Sequence, residues 1–460
     1  MMERYVIPET VKRFVRGKGY ALPCNDMETH IQAWQDWMFA TAPFYRMNGI
    51  GADGRRYRVK RRSIRPASRV CREWASLLLN DETSVQCGDE ACNEWLADYF
   101  NRVNFNAHGQ ELVQTAFGLG TGAWAVWLDL DAQMMQCRRY GANRMIPLTW
   151  DDDGISECAF CTRVVVKGKS YDQVQMHVKG EGGYRILTHI LDEGGREVSF
   201  DGIVADLATG CPTPTFAVVK PAIANTVVEL SPYGMSVFAE AVSAIEGVDL
   251  AYDAIFNEID LSKMRIFIPD SMFGVANQGG KAQPVPFGND DNVIFRKVDA
   301  LDSEDITVFA PQLRTQSQVE GYRMALQSLG DLTGFGLKYF DVDSSGGMKT
   351  ATEVSSDNSA LMRNIRKHEN LLEGSISQLS HAVLHCARRF LGAQLPEEGE
   401  ITVQFDDSII TDTAAEKAQD MSELNLTLNP WEYRAKWYNE DEETAQAMVP
   451  QSAPAPSFMG

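Results

Sequence analysis

A chain of 460 residues, 44% hydrophobic and 23% charged, is long enough for roughly two or three domains and has a globular composition, which excludes a disordered or fibrous protein. No apolar run approaches the ~20 residues of a membrane span, and Met1 to Arg16 lacks a signal-peptide core, so synthesis in the cytosol is expected. The net charge of −20 argues against broad nucleic-acid binding, and nine irregularly spaced cysteines argue against a disulfide framework.

The charge is unevenly spread. Residues 1–72 carry 15 Lys/Arg against 6 Asp/Glu, whereas the rest of the chain carries 28 against 57. Met27 to Ala40 places Ile31, Trp34, Trp37 and Met38 at helical spacing, and Pro43 closes it. A basic run follows, with Arg55, Arg56, Arg58, Lys60, Arg61, Arg62 and Arg65. Pro66 then opens a helix with Val70, Trp74, Leu77 and Leu78 on one face. Further helices are predicted over Ala91 to Val103 and Asn106 to Gly120.

Strand patterns take over at Ala123 to Leu130, Cys158 to Lys167, Tyr171 to Lys179, Gly183 to Leu191 and Phe216 to Lys220. Turn residues such as Asp151-Asp152-Asp153-Gly154 and Glu193-Gly194-Gly195 separate them, which predicts an antiparallel meander and an α+β class. Ser231-Pro232 reads as an N-cap followed by Pro at the first helical position, for a helix reaching Leu261 and ~45 Å long. That helix lies in a stretch without Lys or Arg, between Lys220 and Lys263, that carries Glu229, Glu240, Glu246, Asp249, Asp253, Glu258 and Asp260.

A small strand-rich insert follows, with strands at Lys263 to Ile268, Asn292 to Val298 and Asp305 to Phe309 and a Gly/Pro-rich loop from Gly274 to Gly288. At about fifty residues it is too small to bury a core alone, which points to packing between subunits. Helix returns at Gln312 to Leu329, a polar loop spans Asp341 to Gly347, and a long helix covers Glu353 to Leu391. The chain ends with a strand at Ile401 to Phe405, helices at Thr413 to Leu424 and Pro430 to Tyr438, and a loose tail from Pro450.

No stretch carries a catalytic signature. Cys158 and Cys161 have CxxC spacing, but no second pair lies nearby, so two buried strand thiols are the plainer reading. His381 and His385 stand one helical turn apart without the Glu of a metalloprotease. Asp151 to Asp153 fit a turn better than a cation site, and Gly118, Gly120 and Gly122 lack the Lys-Ser/Thr of a phosphate loop. Neither a cofactor nor a metal is expected. The basic run admits three readings, as a solvated face, a nucleic-acid contact or a dock for an acidic protein. The acidic helix admits two, a solvated face or a wall that repels a polyanion over ~8 Å at physiological salt.

The order of segments resembles the portal proteins of tailed bacteriophages. Pro66 to Asn80 is similar to their early wing helix, and Ala116 to Ala123 to the helix-to-strand step after it. Glu258 to Ile266 is similar to the stem-to-clip junction, Lys349 to Val354 to the tunnel region, and Phe405 to Ile409 to the start of the crown. The resemblance covers residues 25–445 and implies an elongated α+β subunit that assembles into a ring of about twelve copies. Its parts would be a wing (1–230), stem helices (231–262 and 314–330), a small α/β clip (263–313), a tunnel loop with a long wing helix (331–395), and a helical crown with the tail (396–460).

The resemblance further implies a structural, non-enzymatic role at one capsid vertex, as the conduit for double-stranded DNA in packaging and ejection. Partners would be the terminase large subunit, head-completion or adaptor proteins, and major capsid and scaffold proteins, without a membrane. The location would be the virion, and the host cytoplasm during assembly. Channel-lining candidates are Glu246, Asp249, Asp253, Asp343, Ser344, Ser345 and Lys349. Clip docking candidates are Asp299, Asp302, Glu304 and Asp305. The alternatives are another structural head protein, minor head or adaptor, and a metal-dependent hydrolase using Asp151 to Asp153 with His residues elsewhere.

Overall fold

Proline at position 66 presets a helical φ and has no N–H to leave unpaired. The chain therefore passes from left-handed Arg65 (φ 54°) directly into α3 (Pro66–Leu78), whose Val70, Cys71, Trp74, Ala75 and Leu78 are buried on one face. The computed structural model describes residues 5–449 apart from 24, 51–53, 130–133, 201, 270–273, 279–280, 286–293, 298–305, 341–350, 406–416, 418–419, 425–426, 439 and 441. The predicted polar loop from Asp341 to Gly347 and the tail from Pro450 lie outside the described residues, as does half of the helix predicted over Thr413 to Leu424.

Before α3 come α1 (Glu9–Gly17), α2 (Asn25–Met38) and a hairpin of β1 (Arg46–Ile50) and β2 (Arg56–Lys60). After it come β3 (Ser84–Cys87), α4 (Glu90–Arg102) and α5 (Phe105–Leu119). Asp89 caps α4 by accepting the Cys92 N–H at 2.9 Å. Strands β4 (Gly122–Asp129) and β5 (Met134–Gly141) form a hairpin, and β12 (Phe216–Val219) adds to β4.

The larger sheet holds three of the five predicted meander strands, β7 (Gly154–Val166), β8 (Lys169–Gly180) and β9 (Gly183–Leu191), joined by β6 (Met145–Asp151), β10 (Glu197–Val198) and β11 (Asp206–Cys211), the last two both pairing with β9; the other two predicted strands, β4 and β12, pair in the smaller sheet instead. Alternation along β7 sends Cys158 and Phe160 into the main core and Ala159 and Cys161 into a second core under α1.

The middle of the chain holds α6 (Val242–Leu261), strands β13 (Arg265–Pro269), β14 (Gly274–Gln278), β15 (Lys281–Val285), β16 (Ile294–Lys297) and β17 (Thr307–Phe309), and then α7 (Thr315–Leu332). Strand β13 lies between β16, to which it is parallel, and β17, to which it is antiparallel. The Gly/Pro-rich stretch predicted as a loop contains the β14–β15 hairpin.

Helix α6 begins at Val242, eleven residues after the predicted cap at Ser231. Tertiary contacts outweigh the local signal there. The Gly234 N–H donates to Thr121 Oγ1 (2.8 Å), the Tyr233 hydroxyl donates to the Met145 carbonyl (2.9 Å), and Ser231 Oγ accepts the Tyr233 N–H in a local turn. Gly120 (φ 80°) meets this segment so closely that a Cβ would fall 2.4 Å from the Gly234 carbonyl oxygen.

Helix α8 (Ala351–Phe390) is 40 residues long, about 60 Å. Its Leu361, Ile365, Leu372, Ile376, Leu379 and Val383 run along the main core. Ser375 Oγ and Gln378 Nε2 donate to the carbonyls of Val218 and Phe216, each at 2.7 Å, and tie the helix to β12. Strand β18 (Ile401–Gln404) then pairs antiparallel with β3, and α9 (Pro430–Tyr438) and α10 (Glu442–Ala447) follow.

Two buried histidines tie stability to pH. His368 Nδ1 accepts the Ala222 N–H (2.9 Å), and its ring lies 4.8 Å from both Trp74 and Phe117. Burial, with a smaller push from Lys367, lowers its pKa to about 4. His177 is fully buried with Nδ1 2.7 Å from Thr215 Oγ1, and burial lowers its pKa to about 3. An unfolded histidine titrates near 6.5, so the unfolded chain binds more protons below that value. The contribution is therefore complete above about pH 6.5 and is lost as pH falls toward about 4. Urea midpoints should drop steadily from pH 7 to pH 5, and His368→Gln should flatten part of that slope.

Candidate functional site: the acidic helix and its basic clamp

Helix α6 places Asp249, Asp253 and Asp260 four and seven residues apart, close to one face. The chain entering α3 lies along that face. Asp249 Oδ2 accepts from the Tyr45 and Ser63 hydroxyls, both at 2.6 Å, and Oδ1 accepts the Ile64 N–H at 3.0 Å. Asp253 Oδ1 accepts the Arg62 N–H at 3.3 Å and pairs with the Arg62 guanidinium at 3.6 Å. Arg62 also reaches Asp260 at 3.2 Å and Asn257 Oδ1 at 3.0 Å, with its guanidinium 5.5 Å from the Phe256 ring.

Asp249 is 0% exposed. Burial raises its pKa, and the donors from Ser63, Tyr45 and Ile64 oppose that rise. Tyr45 is itself fully buried among Trp37 and Phe44.

This geometry corrects the channel-lining assignment of Asp249 and Asp253. A carboxylate that faces DNA across water must be exposed, and these two, at 0% and 8% exposure, are bonded to the basic segment instead. Glu246, the third member on α6, is half-buried. The other candidates, Asp343, Ser344, Ser345 and Lys349 and the clip residues Asp299, Asp302, Glu304 and Asp305, lie outside the described residues. Within the basic run, Arg61 and Arg62 serve the clamp, with Arg61 4.3 Å over the Phe44 ring. Arg55, Arg56, Arg58, Lys60 and Arg65 are exposed.

Sequence reasoning missed Tyr45 and Ser63 as partners of the acidic helix. A signal was present, because a stretch without Lys or Arg leaves its carboxylates to find cations elsewhere, and 55–62, with six Lys/Arg in eight residues, leads directly into Ser63.

Helices α6 and α7 run antiparallel, since Glu258 meets Arg314 at one end and Gly247 lies against Ala325 farther along. The Arg314 guanidinium grips Glu258 with two bonds, 3.1 and 2.8 Å, at the root of the strand insert. The bond from Arg314 holds the Glu258 carboxyl below its ordinary pKa.

The remaining sequence candidates take structural places. Cys158 and Cys161 point to opposite faces of β7. His381 Nδ1 meets Glu398 Oε1 at 2.8 Å while His385 Nε2 meets the Thr209 carbonyl at 3.1 Å, so they do not converge. Asp151 Oδ1 accepts the N–H groups of Asp153 (3.0 Å) and Gly154 (3.2 Å), closing the β6–β7 turn. Among the described residues no group of three or more His, Cys, Asp or Glu is placed to hold a metal ion. No helix among them is long and apolar enough to cross a membrane.

No curated protein matches the chain. Among solved structures it resembles a chain in the neck of an empty GTA particle computed with C6 symmetry, at 13% identity and TM-score 0.44, with 93% of this chain and 98% of that chain covered. It also resembles a chain in the virion of the native gene transfer agent (GTA) particle, at 12% identity and TM-score 0.42, with the same coverage. The family model described as phage portal protein, SPP1 Gp6-like, matches residues 48–443, which hold the clamp apart from Tyr45, both helices of the antiparallel pair and the insert between them. The chain belongs to this family of structural phage portal proteins.

Proposed function

We propose that copies of this chain close head to tail into a ring of about twelve at one capsid vertex, and that double-stranded DNA crosses the ring during packaging and ejection without sequence-specific binding. The observation that supports it most is the α6–insert–α7 unit inside the family match: two antiparallel helices rooted in the main core carry a small sheet at their far end. That sheet is too small to be stable alone and is suited to contacts with other chains.

The insert, with Asp299, Asp302, Glu304 and Asp305, docks the terminase large subunit and later the head-completion or adaptor proteins. Glu246 and the segment carrying Asp343, Ser344, Ser345 and Lys349 border the DNA path. Carboxylates there repel phosphates over ~8 Å and keep DNA from sticking. Major capsid and scaffold proteins meet the wing. The location is the virion, with assembly in the host cytoplasm.

Native mass spectrometry and negative-stain microscopy of the purified chain test this reading. A closed ring with a central hole is the expected result, and a monomer at every concentration and salt tried would overturn it.

A further inference from the structure

The β1–β2 hairpin is rooted firmly, and among the described residues every side chain of its two strands is exposed. At its root Tyr45 is buried against α6, the Arg61 N–H donates to the Tyr45 carbonyl (3.0 Å), and Arg62 is tied to Asp253 and Asp260. Beyond that root, among the described residues, the two strands pair only with each other, in the register Arg46↔Lys60, Met47↔Val59, Asn48↔Arg58, Gly49↔Tyr57 and Ile50↔Arg56.

Directly opposed residues share a face, so this register sorts the side chains. Arg46, Arg56, Arg58 and Lys60 stand on one side with Asn48 and Ile50, and Met47, Tyr57 and Val59 stand on the other beside Gly49. Tyr57 lies across Gly49, where a Cβ would fall 2.2 Å from the ring. Both sides are open. Met47, Tyr57 and Val59 are 41%, 50% and 47% exposed, and among the described residues Arg46, Arg56, Arg58 and Lys60 make no ion pair. A two-stranded hairpin without a covered face is marginal in water.

We propose that this hairpin is an assembly strap whose occupant is a second copy of this chain, the next subunit in the ring. The inference rests on the ring reading and adds a contact to it. Charge complementarity names the occupant: residues 46–60 hold five Lys/Arg and one Asp, while the whole chain carries −20. An acidic neighbour offers carboxylates to the cationic side and apolar cover to Met47, Tyr57 and Val59. Duplex DNA would satisfy only the cationic side and leave the apolar side in water. With five residues per strand the arm reaches about 17 Å, enough to cross onto an adjoining subunit while its root stays on α6.

The test uses the full chain with two variants. One is Met47→Ser with Tyr57→Ser and Val59→Thr, and the other is Arg56→Glu with Arg58→Glu and Lys60→Glu. Both change only exposed residues, so thermal melts should match the parent. The concentration needed for half-assembly should rise by about tenfold or more in each. A photo-crosslinking residue at position 57 should give covalent dimers and higher ladders. Rings that form from the variants as from the parent would overturn the strap and leave the ring reading intact. A parent that never closes into rings yet crosslinks through position 57 would uphold the strap and sink the ring reading. Unchanged assembly combined with lost retention of duplex DNA would assign the arm to DNA and overturn the proposal.

Discussion

Replacing Trp74 with alanine is expected to destabilise the protein by about 3–5 kcal/mol, the range for removing a large buried aromatic side chain. Trp74 is 1% exposed and joins three parts of the chain. From α3 its indole N–H donates to the Thr333 carbonyl just past α7 (3.0 Å), and its ring lies 4.4 Å from Phe335 and 4.8 Å from His368 on α8. Alanine removes the filling and leaves the Thr333 carbonyl without that donor. Trp74→Phe keeps most of the volume and loses the hydrogen bond, so it should cost much less. Urea denaturation of both variants checks the ordering, and an Ala variant with the parent's midpoint would refute the role given to Trp74.

Lysine at position 249 is the second severe change. It places a cation where three donors converge and leaves the Tyr45 hydroxyl, the Ser63 hydroxyl and the Ile64 N–H without an acceptor. Breaking a buried charged network of this kind costs about 3–5 kcal/mol. Asp249→Asn keeps the size and one acceptor oxygen, so an intermediate loss is expected. Glu246→Lys, one turn earlier on the half-buried side, should stay within about 0.5 kcal/mol of the parent. Thermal melts of the three variants measure the series. Equal effects at 246 and 249 would mean that the two carboxylates are equivalent and that the clamp contributes nothing.

That contrast marks how far the sequence was legible. The acidity of α6 is plain from residue counts, but what its carboxylates touch depends on a segment nearly two hundred residues away. The spacing of Val70, Trp74 and Leu78 behind Pro66 carries α3 without tertiary help, and alternation carries β7, β8 and β9. Other elements owe their form to distant partners. Helix α1 buries only Val11 and Val15, on the outer side of the large sheet, too short a stripe to stand out. Strands β5 and β6 are irregular in pattern and gain their definition from β4 and β7. Ser231-Pro232 is a sound local cap that the contacts of Tyr233 and Gly234 overrule.

Family membership replaces the minor-head, adaptor and hydrolase alternatives, and the two histidines, two cysteines and Asp151 weighed for metal chemistry have structural partners or separate surroundings. The portal assignment thus rests on the ordered set of elements more than on any single motif.

The pairing of β3 with β18 also imposes a timetable on synthesis. Ser84 to Cys87 leave the ribosome early, but their partner, Ile401 to Gln404, follows roughly 300 residues later, which at ~5–20 residues per second is tens of seconds. Until then β3 lacks its partner strand and the neighbouring core lacks Ile401 and Val403. A nascent chain cut short before β18 therefore retains an open seam, and completion of this part of the subunit waits on Ile401 to Gln404.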